Sequence, residues 1–216
     1  MITITAFRWV PPFARGLVRD LRPRWALEEA GLDYEVRLIG AADLKSQDYR
    51  AMQPFGQVPA FGEDDLVLFE SGAIVLHVAE RSPVLMPADP AGRARVSCWT
   101  FAALNSIEPA LQGLAELDLF HEGEDWAAQA RPAALEFAQK RLTLLSEWLG
   151  GRDYLEDRFT AADLMMTTVL RILRHTDLVA RTPGLGAYVE RCEARPAFQR
   201  ALAGQLGDFL ETRPAS

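Results

Sequence analysis

Gln53-Pro54-Phe55-Gly56-Gln57-Val58-Pro59-Ala60-Phe61, followed by Phe69-Glu70-Ser71-Gly72, is the stretch whose reading decides the fold. Val58-Pro59 reads as a tight corner at a strand start, where a proline's missing N–H is tolerated. A cis bond before proline costs only about 0.5–1 kcal/mol relative to trans. A cis Pro59 would turn the Val58 backbone outward, leaving its N–H and C=O open to an extended peptide that pairs like an added strand. An ordinary trans edge-strand proline is the other reading. Ser71 stands where a helix N-cap belongs, so the first amides of that helix would face whatever lies before them. A carboxylate there would meet amides, the Ser71 hydroxyl and the helix dipole, while Glu70 would pair with an ammonium. Together the two motifs read as a socket for a small zwitterionic peptide. The plainer reading is a capping serine beside a surface glutamate.

Outward from this stretch, residues 2–7 and 34–39 alternate as strands, and residues 59–62 and 66–69 read as a hairpin around Glu63-Asp64-Asp65. Residues 13–30 carry apolar side chains at helical spacing and end at Gly31, with Pro23 predicting a kink. Residues 44–52 and 71–80 read as further helices. Pro83, Pro87 and Pro90 then mark a stiff linker, after which strand signals nearly vanish. Residues 92–120, 125–149, 161–175 and 185–194 all read as helices. The expected plan is an α/β domain over 1–81, a linker over 82–90 and an all-α domain over 91–216. Phe159-Thr160-Ala161-Ala162-Asp163-Leu164 carries a capping box with a hydrophobic staple, read as a folding device.

Composition limits the function classes. The chain has 216 residues, 49% of them apolar, and a formal net charge of −7. A net-acidic chain argues against nucleic acid and anionic membrane as partners. Two isolated cysteines, Cys98 and Cys192, suit a reducing compartment. The N-terminus lacks a basic region followed by an apolar stretch, and no apolar run is long enough to span a bilayer. These features predict a cytoplasmic protein. His77, His121 and His175 are scattered without metal-ligand spacing, so no metal is expected.

In their order and spacing, residues 53–61, 69–72 and 159–164 resemble the cytosolic glutathione transferases, and the resemblance covers essentially the whole chain. It implies a thioredoxin-like N-terminal domain followed by an all-helical domain. It implies that Val58, before Pro59, pairs with the cysteinyl part of glutathione, and that Glu70 and Ser71 hold the γ-glutamyl end. Gln57 and Lys45 become candidates for the rest of the peptide, Lys45 for the glycine carboxylate. It further implies a homodimer and a second substrate that is a small hydrophobic electrophile.

One segment departs from that pattern. Arg8-Trp9-Val10-Pro11-Pro12-Phe13-Ala14-Arg15-Gly16 holds no tyrosine, serine or cysteine, the groups that most members of the family resemble one another in placing there. A thiol of pKa about 8.5 needs roughly 2 kcal/mol to become a thiolate near neutrality. Arg15 is the candidate cation for that work, since one positive charge within about 4 Å supplies a few kcal/mol at an effective dielectric near 20. Arg15, Arg19 and Arg22 would form one stripe of a helix, which also suits a solvated or docking face. Asn105 or its neighbour Ser106 is a candidate hydrogen-bond donor to the sulfur. Trp9 and Phe13 are candidates for an apolar pocket wall. A non-catalytic glutathione-binding or protein-interaction module of the same fold is the other reading.

Overall fold

The computed structural model describes residues 1–213. β1 (Ile2–Phe7) runs inside a mixed sheet with β2 (Tyr34–Ile39) parallel beside it, Ile2 opposite Tyr34 and Phe7 opposite Ile39. On its other side β3 (Ala60–Glu63) runs antiparallel and forms a hairpin with β4 (Leu66–Phe69), giving the order β2-β1-β3-β4. Ile2, Ile4 and Ala6 are buried, and so is Thr5 on the opposite face, as befits a strand covered on both sides. The strand expected at 59–62 begins one residue later, at Ala60.

The helix expected over 13–30 is much shorter. α1 is Leu21–Ala30, and ahead of it lie a 3₁₀ turn at Pro12–Ala14 and a run of further turns. Pro11 and Pro12 have no amide to donate, and Gly16 sits at φ 77°, which no right-handed helix contains. Pro23 therefore falls in the first turn of α1, where an amide would have no intrahelical acceptor, and the predicted kink does not arise. Arg15, Arg19 and Arg22 do not share a helix stripe. α2 (Gln47–Met52) is capped by Ser46, whose hydroxyl accepts from the Tyr49 amide, and a 3₁₀ turn at Asp43–Lys45 precedes it. α3 (Ser71–Ala79) follows β4.

Residues 87–194 form a helical unit of their own. It contains α4 (Pro90–Ala102), α5 (Glu108–Phe120), α6 (Asp125–Leu149), α7 (Ala161–Leu170), α8 (Leu178–Arg181) and α9 (Leu185–Glu193). The single helix expected over 92–120 is broken by a π-helical turn at Ala103–Ile107, just before Pro109 withholds its amide from the first turn of α5. Every residue of α7 is buried, as its nearly all-round apolar sequence requires. Its start carries the expected box. Thr160 Oγ1 accepts from the Ala162 amide at 3.3 Å, and Asp163 returns a bond to the Thr160 amide at 2.9 Å. Asp163 also receives the Leu155 amide at 2.8 Å and the Tyr188 hydroxyl at 3.0 Å.

The last helix, α10 (Pro196–Asp208), was not among the expected elements, and it does not belong to the helical unit. Residues 195–213 pack with residues 1–86, whereas the sequence division groups all of 91–216 together. Trp25 of α1 meets the Phe198 ring edge-on at 4.7 Å between centroids. Arg24, 2% exposed, donates from Nε to Asp20 at 2.8 Å and from Nη2 to Asp208 at 2.5 Å. Gln205 donates to Asp20 at 2.8 Å and to the Val18 carbonyl at 3.1 Å. Arg195 and Arg200 bind Glu29 and Glu28. Apart from Asp20 and Arg24, which are four residues apart, these partners lie so far apart in the chain that no local pattern announces them.

Candidate functional site

The corner ahead of β3 is built by three buried polar side chains. Gln53 Oε1 accepts from the amides of Phe55 at 2.8 Å and Gln57 at 3.2 Å. Tyr49 donates its phenolic proton to the Gln57 carbonyl at 2.7 Å. With that proton committed, the 2.9 Å contact between Thr5 Oγ1 and Tyr49 Oη is a donation from Thr5. Thr5 Oγ1 in turn accepts the Ala60 amide at 2.8 Å. Burial pushes the Tyr49 pKa up, so the phenol stays a donor. Gly56 sits at φ 63°, and a Cβ there would meet the Leu44 carbonyl at 3.2 Å, so the loop lies directly against the Asp43–Lys45 turn. Between these anchors the Val58–Pro59 bond is cis, and Val58 packs on Ile39 and Tyr49. Among the described residues, neither the N–H nor the C=O of Val58 enters a hydrogen bond.

The β3–β4 register pairs Ala60 with Phe69, so the corner at Val58-Pro59 and the helix start at Glu70-Ser71 lie at the same end of the hairpin. Glu70 is the N-cap, with φ 67° and ψ 113°, and its exposed side chain makes no cap. A non-glycine residue held at positive φ costs on the order of 1–3 kcal/mol, and such strain gathers at binding sites. Ser71 is the first residue of α3 and not its cap, a correction to the sequence reading. Its hydroxyl, 4% exposed, accepts a hydrogen bond from Arg22 Nη1 at 3.1 Å. Among the described residues, the amides of Ser71, Gly72 and Ala73 have no acceptor. A helix start with open amides, a buried cation behind it and a carboxylate at its rim suits a zwitterion.

The remaining predicted residues divide into two groups. Gln57 and Lys45 are exposed on the two loops that Gly56 brings together, and among the described residues no hydrogen bond holds either side chain. Arg15 belongs to the same unit, but its Nη2 donates to the Leu210 carbonyl at 2.9 Å and its guanidinium lies over the Phe209 ring. The Leu210 amide donates back to the Arg8 carbonyl at 2.9 Å, and Arg213 stacks over Trp9. Thus Phe209–Arg213 straps the segment that follows β1, the segment holding Trp9 and the half-exposed Phe13. Asn105 is in the helical unit, exposed on the π-helical turn with Ser106. Sequence reasoning missed Thr5, Tyr49, Gln53 and Arg22. Gln53, two residues before a turn amide, carried a readable signal; the others act across the fold and carried none.

Comparison with known proteins bears directly on this geometry. Residues 14–80 match the model of the glutathione S-transferase N-terminal domain, and residues 115–196 match that of its C-terminal domain. Glutathione S-transferase 3 of Zea mays is 33% identical over 198 residues, 85% of this chain and 88% of that one. The chain belongs to the glutathione S-transferase family. Another relative, the disulfide-bond oxidoreductase YfcG of Escherichia coli (strain K12), is 29% identical over 203 residues, 84% of this chain and 89% of that one. Among solved structures, a theta class glutathione S-transferase from Xanthomonas axonopodis pv. citri with glutathione bound is 28% identical, with a TM-score of 0.78, covering 93% of this chain and 96% of that chain. The thioredoxin-like N-terminal fold and the helical domain implied by the sequence are those of this family.

Proposed function

We infer that this glutathione S-transferase family member is a glutathione transferase, which binds glutathione and adds its sulfur to a small hydrophobic electrophile. One observation carries the reading: the N–H and C=O of buried Val58, unpaired among the described residues, lie at the same end of the hairpin as the open amides of α3. Val58 pairs with the cysteinyl backbone. The α3 amides and the Ser71 hydroxyl take the γ-glutamyl carboxylate, and Glu70 takes the ammonium. Gln57 and Lys45 serve the glycine end. The thiol releases its proton, the resulting thiolate forms a carbon–sulfur bond, and the electrophile either expels its leaving group or takes up a proton. Arg15 is the candidate for holding the thiolate, as a cation on the segment that follows β1. Asn105 is the candidate donor from the helical unit, and Trp9 and Phe13 are candidates for the electrophile's apolar wall.

A homodimer is part of the proposal. β4 is a sheet edge whose Leu66, Val67 and Phe69 are exposed, and the exposed Phe55 packs against Phe69 at 6.1 Å between ring centroids. An apolar edge of this kind is a liability unless covered. Cytoplasmic action fits the free thiols of Cys98 and Cys192. Among the described residues, no helix is long and apolar enough to cross a membrane.

Glutathione affinity chromatography, followed by an ultraviolet titration of the bound thiol, tests the reading. Retention with a thiol pKa brought down toward 7 is expected, and absence of retention would reject it. The missing tyrosine, serine or cysteine at residues 8–16 favours a second reading, a glutathione-binding module without turnover. Retention with an unshifted thiol pKa would select it. A turnover screen over aryl halides, epoxides, enones and hydroperoxides would define the electrophile, and light scattering the oligomer.

A further inference from the structure

Arg22 enters α1 in its first turn and is 3% exposed. A guanidinium at that depth is unfavourable unless its donors are engaged. One of them, Nη1, reaches the equally buried hydroxyl of Ser71. A serine hydroxyl has one proton and two lone pairs. Accepting from Arg22 occupies a lone pair and turns the Ser71 proton away from the arginine. Ser71 is also the first residue of α3, whose next amides are Gly72 and Ala73. The helix start therefore has a hydroxyl held in one orientation beside amides that carry the positive end of the helix dipole.

We propose that Arg22 is a positioning residue for the carboxylate socket: by fixing the Ser71 hydroxyl, Arg22 sets the preference for a γ-glutamyl group that bears its α-carboxylate. This rests on the glutathione reading above. Nothing in the local sequence signals it, because Arg22 sits among other arginines in a segment that reads as a basic face. Its burial and its bond to the Ser71 hydroxyl set it beside the helix start, whereas Arg15 reaches the Leu210 carbonyl and Arg24 reaches Asp20 and Asp208.

Calorimetric titration of the full chain with two peptides tests the proposal. One is glutathione; the other is 4-aminobutanoyl-cysteinylglycine, the same peptide without the γ-glutamyl α-carboxylate. The wild type is expected to prefer glutathione by about tenfold or more, the scale of one charge-assisted hydrogen bond. Arg22→Met should erase most of that preference by weakening glutathione alone, raising its KM with little change in kcat. Arg22→Lys, which keeps a cation and a donor, should restore much of it. Arg22→Met combined with Ser71→Ala should lose less than the sum of the two single losses, because both act through one hydroxyl. Should Arg22→Met fail to fold, Arg22→Lys and Arg22→Gln carry the same comparison. Equal weakening of both peptides, or an intact preference in the variants, would make Arg22 a scaffold residue and overturn the proposal. A wild type that binds glutathione without preferring it removes the carboxylate socket alone. A wild type that binds neither peptide removes the glutathione reading itself.

Discussion

The starts of α3 and α7 look alike in the sequence, each a hydroxyl residue opening an apolar helix, yet they are built for opposite ends. At Thr160 the hydroxyl turns inward to the Ala162 amide, and Asp163 gathers the Thr160 amide, the Leu155 amide and the Tyr188 phenol. The box closes on itself and is buried. At Ser71 the hydroxyl is held from behind by Arg22, and the helix amides are left without acceptors among the described residues. A closed start contributes stability, whereas an open one reserves its donors for something outside the chain. The difference lies in a residue 49 positions away from Ser71, so the helix start alone does not reveal it.

Substitutions at the two starts should separate these roles. Asp163→Ala should have the largest effect, a loss of about 3 kcal/mol or more in unfolding free energy, because it strands several buried donors at once. Glutathione affinity per folded molecule should be unchanged; equilibrium urea unfolding and calorimetry read the two quantities. Ser71→Ala should do the reverse, weakening glutathione about tenfold or more with a stability change under about 1 kcal/mol. If Ser71→Ala unfolds the protein as readily as Asp163→Ala does, the contrast is wrong. Thr160→Ala should cost about 1 kcal/mol of stability, the usual worth of an N-cap, and leave binding alone.

The smallest effect is a pH dependence to which the closed start contributes. Burial, helped by the Asp163 charge, raises the Tyr188 phenol well above its ordinary 10. A folded pKa above the unfolded one means a contribution that is full below pH 10 and lost as pH rises through the folded value. Denaturation midpoints should therefore decline beyond about pH 10, and Tyr188→Phe should flatten that decline. An unchanged slope in Tyr188→Phe would assign the alkaline loss to other groups.

Much of this was legible from short-range chemistry. The capping box at Thr160 and the long helix Asp125–Leu149 follow from residues within a few positions of one another, and Val58-Pro59 reads as a corner, with a cis bond as one of its two readings. Where chain-distant partners decide, legibility failed. The segment 13–20 has helical spacing, but Gly16 at φ 77° turns the chain, and Pro23 then begins a helix rather than bending one. Arg22 and Arg24 read as surface charge and are buried, because Ser71, Asp208 and Asp20 receive them. The surroundings of Arg15 were not legible, because the segment after β1 is held by the tail Phe209–Arg213 as well as by its own prolines and Gly16.

The return of α10 to the first unit has a consequence for biosynthesis. Trp25 meets Phe198, and Arg24 meets Asp208, only when the final helix has been made. Domains commonly fold in order as the chain leaves the ribosome. Here residues 87–194 form a compact unit from one continuous stretch of chain and can settle first, while the N-terminal sheet waits for its last helix. The unit translated first is therefore the one completed last, and a nascent chain stalled before residue 195 would present α1 with its α10-facing side uncovered.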